Sequence, residues 1–172
     1  MELEEAIRTR RTHKRFEARP LTQDEVDSLL EAARWAPNHH LTNPWRFRVL
    51  GPASTGRLKA AADALQPGAS HKLERAPTMV LVTAVVSGDE HQQEEDRLAT
   101  AAAIYAVLLV AHGRGLAGFW STPGVISHPS GHAALLVPEG ERAVGLLHLG
   151  RPRHEPVARE RTPLAEVVHY LD

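Results

Sequence analysis

From Asp96 to His112 the chain carries a helix-length run that is apolar on nearly every face. Ala99, Ala101, Ala102, Ala103, Ile104, Ala106, Val107, Leu108, Leu109 and Val110 leave almost no polar stripe. A helix of that kind is buried at the centre of a fold or at an interface, because a surface helix keeps one wetted side. The apolar stretch Ala99 to Ala111 is too short to span a bilayer and is interrupted by Thr100 and Tyr105. Whatever else the chain builds must cover this helix. Two coverings satisfy the pattern: threading through the centre of one subunit, or packing against a second copy. The small alanines would let two such helices approach closely.

The other elements fall around it. A short helix is predicted from Leu3 to Thr9, with Leu3, Ala6 and Ile7 on one face. Thr22 followed three residues later by Glu25 is a capping box. Val26, Leu29, Leu30 and Ala33 then share one helical face until Pro37 stops the helix. Phe47 and Val49 alternate with Arg46 and Arg48, predicting a strand to Leu50, and a helix follows from about Thr55 to Leu65. Met79 to Val86 is a β-branched apolar run of the kind covered on both faces. Ala117 to Trp120 and Ala143 to Leu149 read as further strands, with a short helix near His132 to Leu136 between them. A Pro- and Arg-rich tail follows Gly150 and ends in the weakly helical Leu164 to Tyr170. The order α-α-β-α-β-α-β-α-β plus a tail is an α+β layout. It forms one domain over residues 1–172, a length within the usual range for a single domain.

Composition narrows the function classes. Lys and Arg number 20 against 21 Asp and Glu, so no global field attracts nucleic acid or an acidic membrane. With no cysteine there is no disulfide, zinc–thiolate site, iron–sulfur cluster or thiol nucleophile. The acidic start Met1-Glu2-Leu3-Glu4-Glu5 is unlike a signal peptide, and the expected location is cytoplasmic.

Several motifs fail on context. Gly113-Arg-Gly-Leu-Ala-Gly118 matches G-x-G-x-x-G, but the dinucleotide fingerprint needs a strand to enter and a helix to leave. Here a helix enters and a strand leaves, so the glycines read as a helix C-cap and tight turn. Gly51 to Gly56 lacks the Lys-Ser/Thr of a phosphate loop. Among eleven histidines, His39-His40 are adjacent, while His128 and His132 are separated by Pro129, Ser130 and Gly131. No carboxylate sits at ligand spacing near either pair, so no metal is expected. No G-x-S-x-G elbow marks a serine nucleophile.

Two segments remain. Arg8, Arg10, Arg11, His13, Lys14 and Arg15 crowd eight residues. They can form a solvated charged face, a nucleic-acid patch, or, with Thr12, a clamp for a small anion. The patch has no interleaved aromatic residues for base stacking. The second segment, Ala36-Pro-Asn-His-His-Leu-Thr-Asn-Pro-Trp-Arg-Phe47, is a Pro-bracketed loop. It is either a surface loop with Trp45 tucked into the core or a ligand loop dense in hydrogen-bonding groups.

Together these segments resemble the flavin-dependent nitroreductase family. Arg10-Arg-Thr-His-Lys-Arg-Phe16 is similar to the family's Arg-Arg-Ser…Phe segment, and Ala36-Pro37 through Phe47 to its Ala-Pro…Gln-Pro-Trp-x-Phe loop. Gly115-Leu-Ala-Gly-Phe-Trp-Ser-Thr122 resembles its Gly-Leu-Gly-x-x-Trp stretch. Gly145 to Pro152 resembles its last core strand, and Arg161-Thr-Pro-Leu-Ala-Glu-Val-Val168 its closing segment. The loop and the short chain point to the family's compact bacterial branch. Two positions depart: Asn43 stands where Gln is usual, and Trp35 where small relatives carry Arg.

The resemblance implies a mostly antiparallel sheet flanked by helices, in a homodimer whose tail, residues 151–172, embraces the partner. It implies non-covalent FMN held by Arg10, Arg11, Thr12, Lys14 and Arg161, or Arg159 in place of Arg161. Trp120, Ser121 and Thr122 would lie beside the ring, mainly through backbone groups, with His39, Thr42 and Asn43 reaching it across the dimer. The implied activity is NAD(P)H-dependent, ping-pong reduction of nitroaromatic, quinone or related small acceptors. The flavin then carries the chemistry, so no protein group is assigned as catalytic acid, base or nucleophile. The alternatives are a non-catalytic flavin- or ligand-binding module on the same fold and, more distantly, a nucleic-acid-binding protein using the Arg8 to Arg15 cluster.

Overall fold

A computed structural model describes residues 1–157 and 160–171. Four strands form one antiparallel sheet: β1 (Trp45–Val49), β2 (Thr78–Val85), β3 (Ala117–Ser121) and β4 (Glu141–Gly150), in the order β1-β2-β4-β3. β2 pairs with both β1 and β4, and a bulge shifts the β2–β4 register between Val82 and Thr83. Among the described residues, five α-helices surround the sheet: α1 (Leu3–Thr9), α2 (Gln23–Ala33), α3 (Pro52–Leu65), α4 (Glu90–Gly113) and α5 (Pro129–Leu135).

The sheet is the middle of three layers. On one face, Val80, Val82, Ala84, Leu147 and Leu149 meet Val26 and Leu29 of α2 and Ala103, Ile104, Val107 and Leu108 of α4. On the other, Met79, Leu81 and Leu146 meet Leu58 and Ala62 of α3, Leu73, and Leu135 of α5. This double covering explains the unbroken apolar run of β2, whose residues are buried as far as Ala84.

Local chemistry sets the element ends. Thr22 Oγ1 accepts from the Glu25 amide at 3.2 Å and Glu25 Oε2 accepts from the Thr22 amide at 2.8 Å, completing the capping box of α2. α4 stops in a Schellman turn: the Leu116 amide donates to Ala111 O and the Gly115 amide to His112 O, with Gly115 at φ +72°. The G-x-G-x-x-G string is therefore a helix exit leading into β3.

Some boundaries differ from the sequence reading. α4 begins at Glu90 rather than Asp96, because Asp89 caps it by accepting from the Gln92 amide at 2.9 Å. α3 starts at Pro52, where a proline at the first helical position lacks no needed donor. α5 begins at Pro129 for the same reason and ends at Leu135. The tail makes a single 3-10 turn, Leu164–Glu166, rather than a helix to Tyr170, and Leu164, Val167, Tyr170 and Leu171 are exposed. With its apolar side chains exposed, that segment lacks the packing that sustains a longer helix.

α4 buries one side against the sheet and leaves another uncovered. Leu98 and Tyr105 are exposed, and Ala102 and Leu109 are half-buried. Spaced by four, three and four residues, they form one stripe along the helix.

Close approach of β3 to β4 depends on Gly145, where a Cβ would stand 2.0 Å from Trp120 Nε1. Gly145→Ala is expected to displace the indole and cost about 1–3 kcal/mol of stability. Urea unfolding and near-ultraviolet circular dichroism, read together, check both effects.

Candidate active site

The basic segment is held as an extra sheet edge. Thr12 forms a parallel bridge with Gly118, and the His13 amide donates to Gly118 O at 3.2 Å. Phe16 bridges to Pro152, the Glu17 amide donates to Arg151 O at 2.9 Å, and the Arg153 amide donates to Arg15 O at 3.3 Å. Extended backbone alternates its side chains, so Thr12 and Lys14 face outward while His13 is buried. Phe16 anchors the segment against Ala76 and Ala117, with Phe119 packed alongside.

Two hollows adjoin along this edge. One, about 640 Å³, is lined by Arg11, Thr12, Lys14, Phe119, His154, Pro156, Val157 and Arg161. The other, about 420 Å³, is lined by Lys72, Leu73, Arg75, Phe119, Trp120, Ser121, Thr122 and Pro123. Phe119 is their shared wall. The first gathers cations around a hydroxyl, as an anion site needs. The second has an aromatic wall in Phe119, with the Arg75 guanidinium over that ring 5.8 Å from its centre and Lys72 as a further cation in the lining. Arg11 Nη1 donates to Arg8 O at 2.5 Å and Arg10 O at 2.9 Å, while its buried Nε has no partner. An orphaned buried guanidinium N–H beside a cationic hollow fits a terminal phosphate. Among the described residues no group of three or more His, Asp or Glu is arranged to hold a metal ion.

Of the sequence-predicted residues, the hollows bring together Arg11, Thr12, Lys14, Trp120, Ser121, Thr122 and Arg161. The Trp120 indole is turned away, its Nε1 donating to Val144 O at 3.3 Å. Arg10 lies outside both linings, its guanidinium 6.0 Å from the centre of the Tyr105 ring on α4. Arg159 lies outside the described residues.

The loop residues sit elsewhere. His39 Nδ1 lies 2.9 Å from Glu95 Oε2, and Thr42 Oγ1 donates to Asp96 Oδ1 at 2.6 Å, both near the N-terminal end of α4. The basic segment joins the other end, where His112 Nε2 is 2.7 Å from Thr9 Oγ1. Glu95 and His112 are 17 positions apart on a straight helix, about 25 Å. One chain therefore does not bring His39, Thr42 and Asn43 to its own hollows. The loop is nonetheless shaped with care. His40, Leu41 and Asn43 all have positive φ, 53°, 52° and 47°, and the His39 and His40 rings stack 3.9 Å apart. Non-glycine residues in left-handed conformations are uncommon and cluster at functional sites.

Sequence reading missed Lys72, Arg75, Phe119, His154 and His148. Phe119 was legible as the residue before Trp120 on a strand. Lys72 and Arg75 come from a 3-10 segment, Ala69–Glu74, and the residue after it, which no periodicity announced. His148 is hidden within Leu146-Leu147-His148-Leu149 on β4. It is 1% exposed, its Nε2 is 3.0 Å from Ser121 Oγ, and its ring stacks on Phe119 with centroids 5.2 Å apart.

Comparison with known proteins places this architecture. The model of the Nitroreductase family matches residues 7–151, and the chain belongs to that family. A Bacillus subtilis protein with the provisional name NAD(P)H nitroreductase YfhC is 26% identical over 95% of this chain and 91% of its own length. The 5,6-dimethylbenzimidazole synthase of Rhodospirillum rubrum is 32% identical over 89% of this chain and 83% of its own. The crystal structure of a nitroreductase-type protein from Desulfovibrio desulfuricans in complex with FMN superposes with a TM-score of 0.84 at 24% identity. That match covers 100% of this chain and 98% of that one.

Burial tunes the histidines around the site. His148 is pushed down to about 4 by desolvation, with the Arg75 charge adding to it. His13 is lowered chiefly by burial against an opposing pull from Glu155, and His112 by burial and then the Arg10 charge. Each has a folded pKa below its unfolded value near 6.5. The stability each contributes is thus complete above about pH 6.5 and is lost as pH falls toward the folded value. Urea unfolding of the flavin-free protein should weaken between pH 6.5 and 4.5, with the deeply buried His148 contributing up to about 1.4 kcal/mol per pH unit. Replacing His148 by Leu should flatten that slope by about one proton.

Proposed function

We propose that this chain is an FMN-dependent oxidoreductase that passes electrons from NAD(P)H to nitroaromatic, quinone or related acceptors. The observation that carries the reading is the junction at Phe119 between a cationic, hydroxyl-bearing hollow and a flat-walled one. A phosphate on a flexible chain attached to a planar ring has that pair of requirements. Arg11, Lys14 and Arg161 would neutralise the phosphate, Thr12 would hydrogen-bond it, and Ser121 and Thr122 would border the ring. Lys72 and Arg75 keep a positive potential at the ring end, which favours an electron-rich ligand there. When bound, FMN supplies the two-electron relay, so the chain needs no obligatory acid, base or nucleophile of its own.

The active unit in this reading is a homodimer. The stripe of Leu98, Ala102, Tyr105 and Leu109 on α4 gives a second copy an apolar seat. The exposed apolar tail has the partner's surface as its natural cover. The His39 loop, remote from its own chain's hollows, would complete the partner's. Both substrates using one completed site in turn implies ping-pong kinetics. No helix of the described chain is long and apolar enough to cross a membrane. Dependence on the reduced nicotinamide pool suits the cytoplasm.

Two measurements test the reading. FMN should bind at least about a hundredfold more tightly than riboflavin, which lacks the phosphate, and Lys14→Ala should narrow that gap about tenfold. Equal affinity for both flavins would sink the assignment. A yellow protein that oxidises neither NADH nor NADPH with any acceptor would instead be the non-catalytic module. In the second, a subunit carrying Lys14→Ala is mixed with one carrying His39→Ala. The heterodimer should regain one intact site and with it activity above either parent. A fully active monomer at assay concentration would rule the composite site out.

A further inference from the structure

His148 is an unfavourable residue for where it stands. It interrupts Leu146, Leu147 and Leu149 on β4, is 1% exposed, and its buried Nδ1 has no hydrogen-bond partner. Met79 stands opposite it on β2 and Phe119 opposite it on β3, and the nearest charge bearing on it is Arg75. A leucine of similar volume would bury no polar atom and leave no orphan, so packing alone gives no reason for an imidazole here.

Its one hydrogen bond gives a reason. Ser121 Oγ lies 3.0 Å from His148 Nε2 and 3.3 Å from Leu146 O. A carbonyl only accepts, so the serine proton belongs to Leu146 O, and the hydrogen on Nε2 then points at Ser121 Oγ. The opposite tautomer would leave an N–H on Nδ1 buried with no acceptor, the costlier of the two arrangements. Depressed basicity keeps the ring neutral at working pH, so it donates through one nitrogen only. Ser121 itself borders the flat-walled hollow.

We infer that His148 is a positioning residue for the flavin-ring site: it locks Ser121 Oγ as a hydrogen-bond acceptor facing the ring hollow, selecting a ligand edge that donates an N–H. The inference rests on the proposed flavin function. Ser121 already receives one hydrogen bond and gives its own proton away, so what it has left for a ligand is a lone pair. The stacked contact of His148 with Phe119 sets the wall between the two hollows from the same buried side chain.

The test is FMN titration of flavin-stripped protein, followed by flavin fluorescence, with unfolding of the flavin-free form alongside. His148→Leu should lose about tenfold in FMN affinity, the worth of one good hydrogen bond. Its flavin-free stability at pH 7.5 should be equal to or above that of the wild type. His148→Gln, whose side-chain amide can donate from near the Nε2 position, should recover affinity to within about threefold. In a Ser121→Ala background, His148→Leu should cost no more than about twofold further, because the group it acts through is gone. The visible band of bound FMN should shift in His148→Leu and return in His148→Gln. FMN affinity unchanged in His148→Leu, or a full additional loss in the Ser121→Ala background, would overturn the inference while leaving the flavin assignment standing. Failure of the wild type itself to bind FMN would instead remove the parent reading, and this one with it. Should His148→Leu fail to fold, His148→Gln and Ser121→Ala decide the matter. Affinity that falls in the glutamine variant as far as in Ser121→Ala means the imidazole does more than position the serine, which also overturns it.

Discussion

Backbone pairing of the basic segment holds the candidate site together. A segment carrying Arg8, Arg10, Arg11, Lys14 and Arg15 repels itself, and as a free loop it would spread its cations into solvent. Pairing with Gly118 on one side and with Arg151 and Pro152 on the other fixes the segment as extended chain. Period-two alternation then turns Thr12 and Lys14 to the hollow and His13 inward. The same pairing sets the cationic hollow beside β3, the strand whose next residues wall the ring hollow. Arg151 ties this edge further, its Nη2 donating to Glu25 Oε1 at 2.5 Å, so the capping box of α2 is fastened to the strand end that holds the basic segment.

The α+β order was legible because each element carries a strong local signal: a capping box for α2, a β-branched run for β2, an alanine-rich stretch for α4. The errors fall where the signal is chemical rather than periodic. Asp89 extends α4 by a cap that hydropathy does not register, and Pro52 and Pro129 start helices that a reading by apolar spacing begins later. For the site, the motif residues were found because they stand in consecutive strings. Lys72 and Arg75 escaped because their segment is a 3-10 connection without a repeating face. His148 escaped because a histidine within leucines reads as a core residue until its cross-strand neighbours are known. Those neighbours, Phe119 and Met79, are set by strand register, which no single-strand pattern reveals.

α4 links the two halves of the proposed site as both a spacer and a seat. About 25 Å of helix separates the carboxylates that hold the His39 loop from the histidine beside the basic segment. Held to Glu95 and Asp96, the loop stands away from its own chain's hollows, whose linings do not include it. In the proposed dimer, a two-fold axis through the uncovered stripe of this helix would set the loop of each copy toward the basic end of the other. The apolar character that most constrained the sequence reading thus bears on the proposed site through geometry: the uncovered stripe offers a seat for the partner that the proposed composite site calls for.

The distribution of unsatisfied polar atoms follows the same division. Arg10 Nε, Arg11 Nε, His13 Nδ1, His148 Nδ1 and Arg151 Nη1 are buried without hydrogen-bond partners, and all five belong to the basic segment, its pairing edge or the strand behind the ring hollow. Asp96 Oδ2, the orphaned carboxylate oxygen, lies beneath the His39 loop, where the other oxygen accepts from Thr42. Among the described residues only His132 Nε2 is remote from both. Each such group costs on the order of 1–3 kcal/mol relative to a satisfied one. In a core otherwise built mainly of apolar side chains, these costs are gathered at the two places proposed to meet in the dimer. A chain shaped by packing alone would scatter its unmet hydrogen bonds or replace them with apolar residues. Their concentration here fits the proposed site, where local stability would be given up to hold polar groups ready for a ligand.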